Sequence, residues 1–273
     1  MGRARPVAAA LELFQNWVLV HDDVEDDSET RRGRPALHRE AGVPVAINVG
    51  DAMHVAMWRL LWTGTHPNRQ PVAEEFLAMI ERTAEGQHLD LAWVTEGRFD
   101  VDEAAYLAMV ERKTAYYTVV SPLRLGALIA GVTPDPRFEP AGLALGAAFQ
   151  IRDDVLNLVP DEHGAYGKEF AGDLYEGKRT VVLARAFAQL PGRDAERLRS
   201  LLGRPRADKS EVEMREALEL IGRTDAVDHA QAAAETRARD GLATLEAAMA
   251  ALPGRDAVAS ILALVRTLAA RTA

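Results

Sequence analysis

Val7-Ala-Ala-Ala-Leu-Glu-Leu-Phe14-Gln15-Asn-Trp17-Val-Leu-Val-His21-Asp22-Asp23-Val24-Glu25-Asp26 is the stretch on which the reading of the fold turns. Its apolar residues recur at i, i+3 and i+4, the period of a buried helix face. It then ends abruptly in carboxylates. The same period extends outward along the chain and predicts helices near 7–26, 42–63, 71–93, 101–131, 138–157, 178–190, 210–222, 226–250 and 254–271. Alternating β-branched strands are nearly absent. Segments 44–63 and 141–157 are apolar on most faces, which suits the middle of a bundle. The chain after about 205 is more charged and reads as a peripheral layer. Pro122 should kink the helix that holds it. No Pro/Gly/Ser linker divides the chain. The expectation is one all-α domain over residues 1–273, a helical bundle around a central apolar cavity.

Composition narrows the function. The chain has 273 residues, no cysteine, 48% hydrophobic residues and a formal net charge of −9. Thiolate metal sites, disulfide scaffolds and cysteine nucleophiles are excluded. Net acidity argues against nucleic acid as a partner. The most apolar long stretch, Tyr116 to Val132, is interrupted by Pro122 and Arg124, so no transmembrane segment is expected. Glu12 and the acidic cluster argue against a secretory leader. The expected location is the cytoplasm.

Two acidic clusters carry the chemistry. His21 to Glu29 packs six carboxylates into positions 22–29 and is followed by Arg31-Arg32-Gly33-Arg34-Pro35. Asp22 and Asp26 share a helix face one turn apart. At about 6 Å, two such charges repel by roughly 3 kcal/mol at an effective dielectric near 20. They also stand at a helix C-terminus, where negative charge is disfavoured. A bound cation would offset this, and hard oxygen donors suit Mg²⁺ or Ca²⁺. The bland alternative is a solvated helix end paired with the arginines. The second cluster, Phe149-Gln150-Ile-Arg-Asp153-Asp154-Val-Leu-Asn157, repeats the pattern at the end of another apolar helix. Lys113, Lys168, Lys178 and Arg179 add positive charge suited to phosphate. A charged head at the rim and a hydrocarbon tail along apolar walls is the ligand implied.

In order along the chain, these motifs resemble the trans-isoprenyl diphosphate synthases of the polyprenyl synthetase family. Asp22-Asp23-Val-Glu-Asp26 through His38 resembles the first aspartate-rich motif and its basic tail. Gly50-Asp51, Gly86-Gln87-His-Leu-Asp90-Leu, Lys113-Thr114, Phe149-Gln150-Ile-Arg-Asp153-Asp154, and Gly167-Lys168 with Gly172-Asp173 and Gly177-Lys178 resemble the later ones. The resemblance runs from about Val7 to Thr180 and implies a prenyltransferase, usually a homodimer, with three Mg²⁺. It implies metal contacts at Asp22, Asp26 and Asp153, with Asp23 and Asp154 further metal ligands or partners of the ligands. Arg31, Lys113, Lys168 and Lys178 would hold the allylic diphosphate, and Arg32 the isopentenyl diphosphate. Thr114, Gln150 and the backbone carbonyl of Lys113 would stabilise the allylic cation.

The chain departs from the family in three places. The family's first helices are missing or shortened, and Gly2-Arg-Ala-Arg5-Pro6 stands too near Asp22 to replace their motif. Gln15 stands where the family has a histidine, and Asn157 where it has an aspartate. Trp17 lies about 7.5 Å and Phe14 about 12 Å down the helix from Asp22. The resemblance implies that side chains upstream of the first aspartates set product length, so the two would form its floor. The alternative is that Trp17 faces another helix and only packs the core. The resemblance favours C20, then C15. Alternatives are a terpene cyclase-like enzyme that ionises an allylic diphosphate without condensation, and a non-catalytic subunit. His21 beside Asp22 gives only a weak hint of a metal phosphohydrolase.

Overall fold

The computed structural model describes residues 2–64, 66, 68–158 and 170–269. They are mostly helical, with one short hairpin, and form two compact units. One takes the chain up to Ala78 together with Leu123–Pro134; the other takes Met79–Pro122 and most of the chain from Asp135 on.

In the first unit, α1 (Arg5–Glu25) starts with Pro6 in its first turn, where the missing N–H is harmless. It packs along α3 (Val43–Thr63), whose buried stripe is Ala46, Gly50, Met57 and Leu61. The two helices approach closely at both ends. A Cβ at Gly50 would overlap the His21 ring, and one at Gly64 would stand 2.7 Å from Pro6 Cβ. After α1 the chain makes a hairpin, β1 (Thr30–Arg31) against β2 (Arg34–Pro35), with Arg31 opposite Arg34. Its turn residues, Arg32 and Gly33, both have positive φ, as a tight hairpin turn requires. A short α2 (Leu37–Ala41) leads into α3. The start of α4 (Arg69–Thr95) belongs here too. Arg124 of α6 (Ser121–Ala130) donates to Glu75 at 2.7 Å, and Asn68 to the Leu128 carbonyl at 2.8 Å.

The second unit is built on α7 (Phe138–Asn157), which is buried on most faces, as expected. The helix read as 101–131 is resolved into α5 (Glu103–Val110), ten residues of π-turns (Glu111–Val120) and α6. The Ser121 N–H bonds the Tyr116 carbonyl five residues back. The π-turns end just before Pro122, which stands in the first turn of α6, where its missing N–H is tolerated. Glycines let the π-turns sit close to their neighbours. Cβ atoms at Gly142 and Gly146 would stand 2.6 Å from Val120 Cγ2 and 2.5 Å from Ala115 Cβ.

Shorter helices follow: α8 (Gly172–Glu176), α9 (Val181–Gln189), α10 (Gly192–Leu202) and α11 (Glu211–Ile221). Then come α12 (Ala226–Met249) and α13 (Arg255–Ala269). The C-terminal part is not wholly peripheral. α12 lies along α7, with Gly241 against Ala141, Ala144 and Leu145, and its buried stripe includes Ala226, Ala230, Ala234 and Ala238. Small residues allow that approach without making the sequence look apolar. Among the described residues no helix is long and apolar enough to cross a membrane.

Candidate active site

The first acidic cluster sits at the end of α1. Asp26 follows its last turn, and its N–H bonds the Asp22 carbonyl at 2.9 Å. The hairpin returns Arg31 onto this end. Its Nε donates to Asp23 Oδ1 at 2.9 Å, its Nη2 contacts the same oxygen, and Nη2 lies 3.4 Å from Asp22 Oδ2. Asp23 is only 3% exposed. Burial pushes its carboxyl above the usual range, and Arg31 opposes that rise. Asp23 is thus the buried half of an ion pair with Arg31, whose own side chain is partly exposed. Arg39 braces the acidic loop, pairing with Asp27 at 2.7 Å and Glu29 at 3.0 Å. Arg32 donates to Asn16 Oδ1 at 3.3 Å.

Trp17 stacks on His54 of α3 with ring centres 4.2 Å apart. Phe14 is fully buried and meets Trp17 edge-on at 5.8 Å. His21 occupies the gap at Gly50, with Nε2 3.3 Å from the Ile47 carbonyl. That contact explains the Gly50 of the Gly50-Asp51 pair.

In the second unit, Gly86 of α4 admits the backbone of the π-turns: a Cβ there would stand 2.7 Å from Lys113 Cα. One turn on, Asp90 accepts from Lys113 Nζ at 2.6 Å. Asp90 is buried, and its role is to hold the lysine. Thr114 Oγ1 donates to Gln150 Oε1 at 3.1 Å. Gln150 Nε2 donates to Asp154 Oδ1 at 2.8 Å, and Tyr106 donates to Asp154 Oδ2 at 2.6 Å. Burial raises the Asp154 carboxyl to about 6, against the two hydrogen bonds that lower it. Burial, with Asp154 beside it, holds the Tyr106 hydroxyl well above its ordinary value, so it stays a donor. Asp153 is half-buried next to this chain.

Asn157 ties the end of α7 to the chain that follows. Its Oδ1 accepts from the Asp173 N–H at 3.0 Å, and its carbonyl from the Ala171 N–H at 2.8 Å. It anchors α8, after which Lys178 lies 2.8 Å from Glu176. Arg179 is buried over the Phe99 ring at 3.9 Å and donates to the Arg98 and Gly177 carbonyls. Burial brings its guanidinium down to about 10; it braces the chain and does not reach for phosphate. Lys168 lies outside the described residues.

The sequence reading missed Tyr106. It resembles a core aromatic, and the only signal was its place two turns before Thr114 on the same face.

Among the described residues no three His, Asp or Glu side chains gather into a preformed metal group. Mg²⁺ takes one or two protein carboxylates and completes its shell with phosphate and water. Asp22 and Asp26, one turn apart with hard oxygen donors, fit that requirement.

The sequence pattern of the polyprenyl synthetase family matches residues 1–221. The chain is 35% identical over 250 residues to a short chain isoprenyl diphosphate synthase of Methanothermobacter thermautotrophicus, covering 90% of this chain and 74% of that protein. It is 36% identical over 217 residues to a geranylgeranyl diphosphate synthase of Saccharolobus solfataricus, covering 77% of this chain but 64% of the relative's length. The crystal structure of a geranylgeranyl pyrophosphate synthase from Corynebacterium glutamicum, complexed with isoprenyl diphosphate and magnesium, is 30% identical. It matches with a TM-score of 0.87 over 100% of this chain and 80% of that one. The chain belongs to the polyprenyl synthetase family and is a prenyltransferase of that family.

Proposed function

We propose that the protein condenses isopentenyl diphosphate with an allylic diphosphate, in a Mg²⁺-dependent reaction, to give a C20 trans-prenyl diphosphate. The observation that carries the reading is Lys113, held by Asp90, in sequence with Thr114 bonded to Gln150. Asp22, Asp26 and Asp153 hold Mg²⁺, and Asp23 holds Arg31. Bound Mg²⁺ supplies positive charge against the departing diphosphate. Arg31, Lys113, Lys168 and Lys178 bind that diphosphate, and Arg32 binds isopentenyl diphosphate.

The C1–O bond of the allylic substrate breaks, and its electron pair leaves with diphosphate. Thr114 and Gln150 oxygens stabilise the cation. The double bond of isopentenyl diphosphate forms the new carbon–carbon bond, and the released diphosphate takes the last proton. Apolar walls exclude water from the cation. Trp17, with Phe14 beyond it, limits the chain to C20, with C15 the next product.

We place the reaction in the cytoplasm and in a homodimer. Val55 and Trp62, two turns apart on α3, are 61% and 74% exposed and offer an apolar face to a second copy.

The test is product analysis by mass spectrometry. Isopentenyl diphosphate is supplied with dimethylallyl, geranyl or farnesyl diphosphate, with Mg²⁺ or with EDTA. A Mg²⁺-dependent C20 diphosphate is expected. Diphosphate release with hydrocarbon or alcohol, and no elongation, would replace this reading with a cyclase.

A further inference from the structure

The four side chains Tyr106, Asp154, Gln150 and Thr114 form one continuous chain of hydrogen bonds, buried at Tyr106 and Asp154 and partly buried at Gln150. Its members come from α5, α7 and the π-turns, and its direction is fixed at each link. Both Asp154 oxygens accept, one from the Tyr106 hydroxyl and one from Gln150. Gln150 must therefore turn its NH₂ toward the carboxylate, which leaves Oε1 for Thr114. A threonine hydroxyl has a single proton, and here Gln150 Oε1 receives it. What Thr114 has left is lone pairs. A reversed Gln150 amide would put N–H against Thr114 and release the hydroxyl proton outward. Lone pairs attract a carbocation, and an outward proton repels it.

We infer that Tyr106 and Asp154 are positioning residues that set this polarity, so that Thr114 and Gln150 meet the allylic cation with oxygen lone pairs. The inference rests on the role proposed above for Thr114 and Gln150. Tyr106 itself touches no substrate in this account. It acts by keeping the carboxylate aimed at the Gln150 amide.

Tyr106→Phe keeps the ring and removes the donor. Its kcat should fall about tenfold, as loss of an outer orienting hydrogen bond commonly causes, while KM for both diphosphates stays within about twofold. Because Tyr106 acts through Gln150 and Thr114, the loss caused by Tyr106→Phe should be smaller in a Thr114→Val background than in the wild type. Losses that multiply, or a Tyr106→Phe enzyme of normal kcat, overturn the inference while leaving the proposed function intact. A silent Thr114→Val removes the role of Thr114 and the inference with it.

Two further measurements do not need a well-folded, active Tyr106→Phe. Asp154→Asn, which lets the Gln150 amide turn over, should show the same loss in kcat at unchanged KM; a normal kcat overturns the inference. In ¹⁵N spectra the Gln150 side-chain amide, assigned by its loss in Gln150→Ala, should shift in Asp154→Asn whether or not the protein turns over. An unmoved resonance overturns it too.

Discussion

The backbone of Lys113 lies directly against Gly86: a Cβ at position 86 would stand 2.7 Å from Lys113 Cα and closer still to its amide nitrogen. Four residues along the same face of α4, Asp90 receives the lysine ammonium. One helix thus supplies both the hollow for the lysine backbone and the anchor for its charge.

Gly86→Ala should destabilise the protein. Alanine is favoured over glycine in a helix by about 1 kcal/mol, but here the methyl group meets backbone atoms that cannot swing aside. Overpacking costs about 1–3 kcal/mol, so the net change is a lower melting temperature by a few degrees. Turnover should fall further, because Lys113 moves off Asp90. An unchanged melting curve would mean that the two segments separate without cost.

Asp26→Ala and Asp23→Ala should differ in kind. The first relieves repulsion at the end of α1, so thermal stability stays equal or rises. Mg²⁺-dependent turnover falls on the order of 10²–10³-fold. The second strips the buried partner from Arg31 and should cost about 1–3 kcal/mol of stability. Parallel melting and rate measurements decide it. Unfolding of Asp26→Ala would make the first cluster structural.

Trp17→Ala should lengthen the product by one isoprene unit, read by mass spectrometry. It also removes the stack on His54, so some stability goes with it. An unchanged product would move the floor to Phe14.

Lys209 gives a pH signature. It is buried, its Nζ donates to the Leu174 and Tyr175 carbonyls at 2.9 and 2.7 Å, and burial, with Arg179, Arg206 and Arg204 nearby, lowers it from 10.5 to about 8. A neutral amine has two N–H bonds, which match the two carbonyls. Between about pH 8 and 10.5 the unfolded chain binds the extra proton, so this group's contribution to stability rises with pH through that window and is flat below it. The stability gap between wild type and Lys209→Met should widen by roughly 1–2 kcal/mol from pH 7.5 to 9.5. Urea midpoints at the two pH values measure this, and a constant gap would refute it.

The long apolar helices were legible because period and burial agree: α1, α3 and α7 lie close to where the spacing put them. The subdivision of 103–130 was not, since its apolar pattern runs on unbroken through the π-turns. α10 was missed because its segment, Gly-Arg-Asp-Ala-Glu-Arg-Leu-Arg-Ser-Leu-Leu, buries only Leu198, Leu201 and Leu202. The hairpin at Thr30–Pro35 was too short to carry a strand pattern. At the site, the motif residues could be named one by one, but their pairings could not. That Asp90 serves Lys113, that Arg31 serves Asp23, and that Asn157 serves Asp173 depend on contacts between segments far apart in sequence.

The π-turns also set the helical phase of everything downstream. In an α-helix each residue advances the side-chain direction by about 100°. Deleting a single residue between Glu111 and Val120 could restore ordinary α-bonding. It would also rotate Arg124 away from Glu75 or Thr114 away from Gln150. The irregularity therefore acts as a register lock: the number of residues between Glu111 and Val120 matters to the pairings on both sides of them.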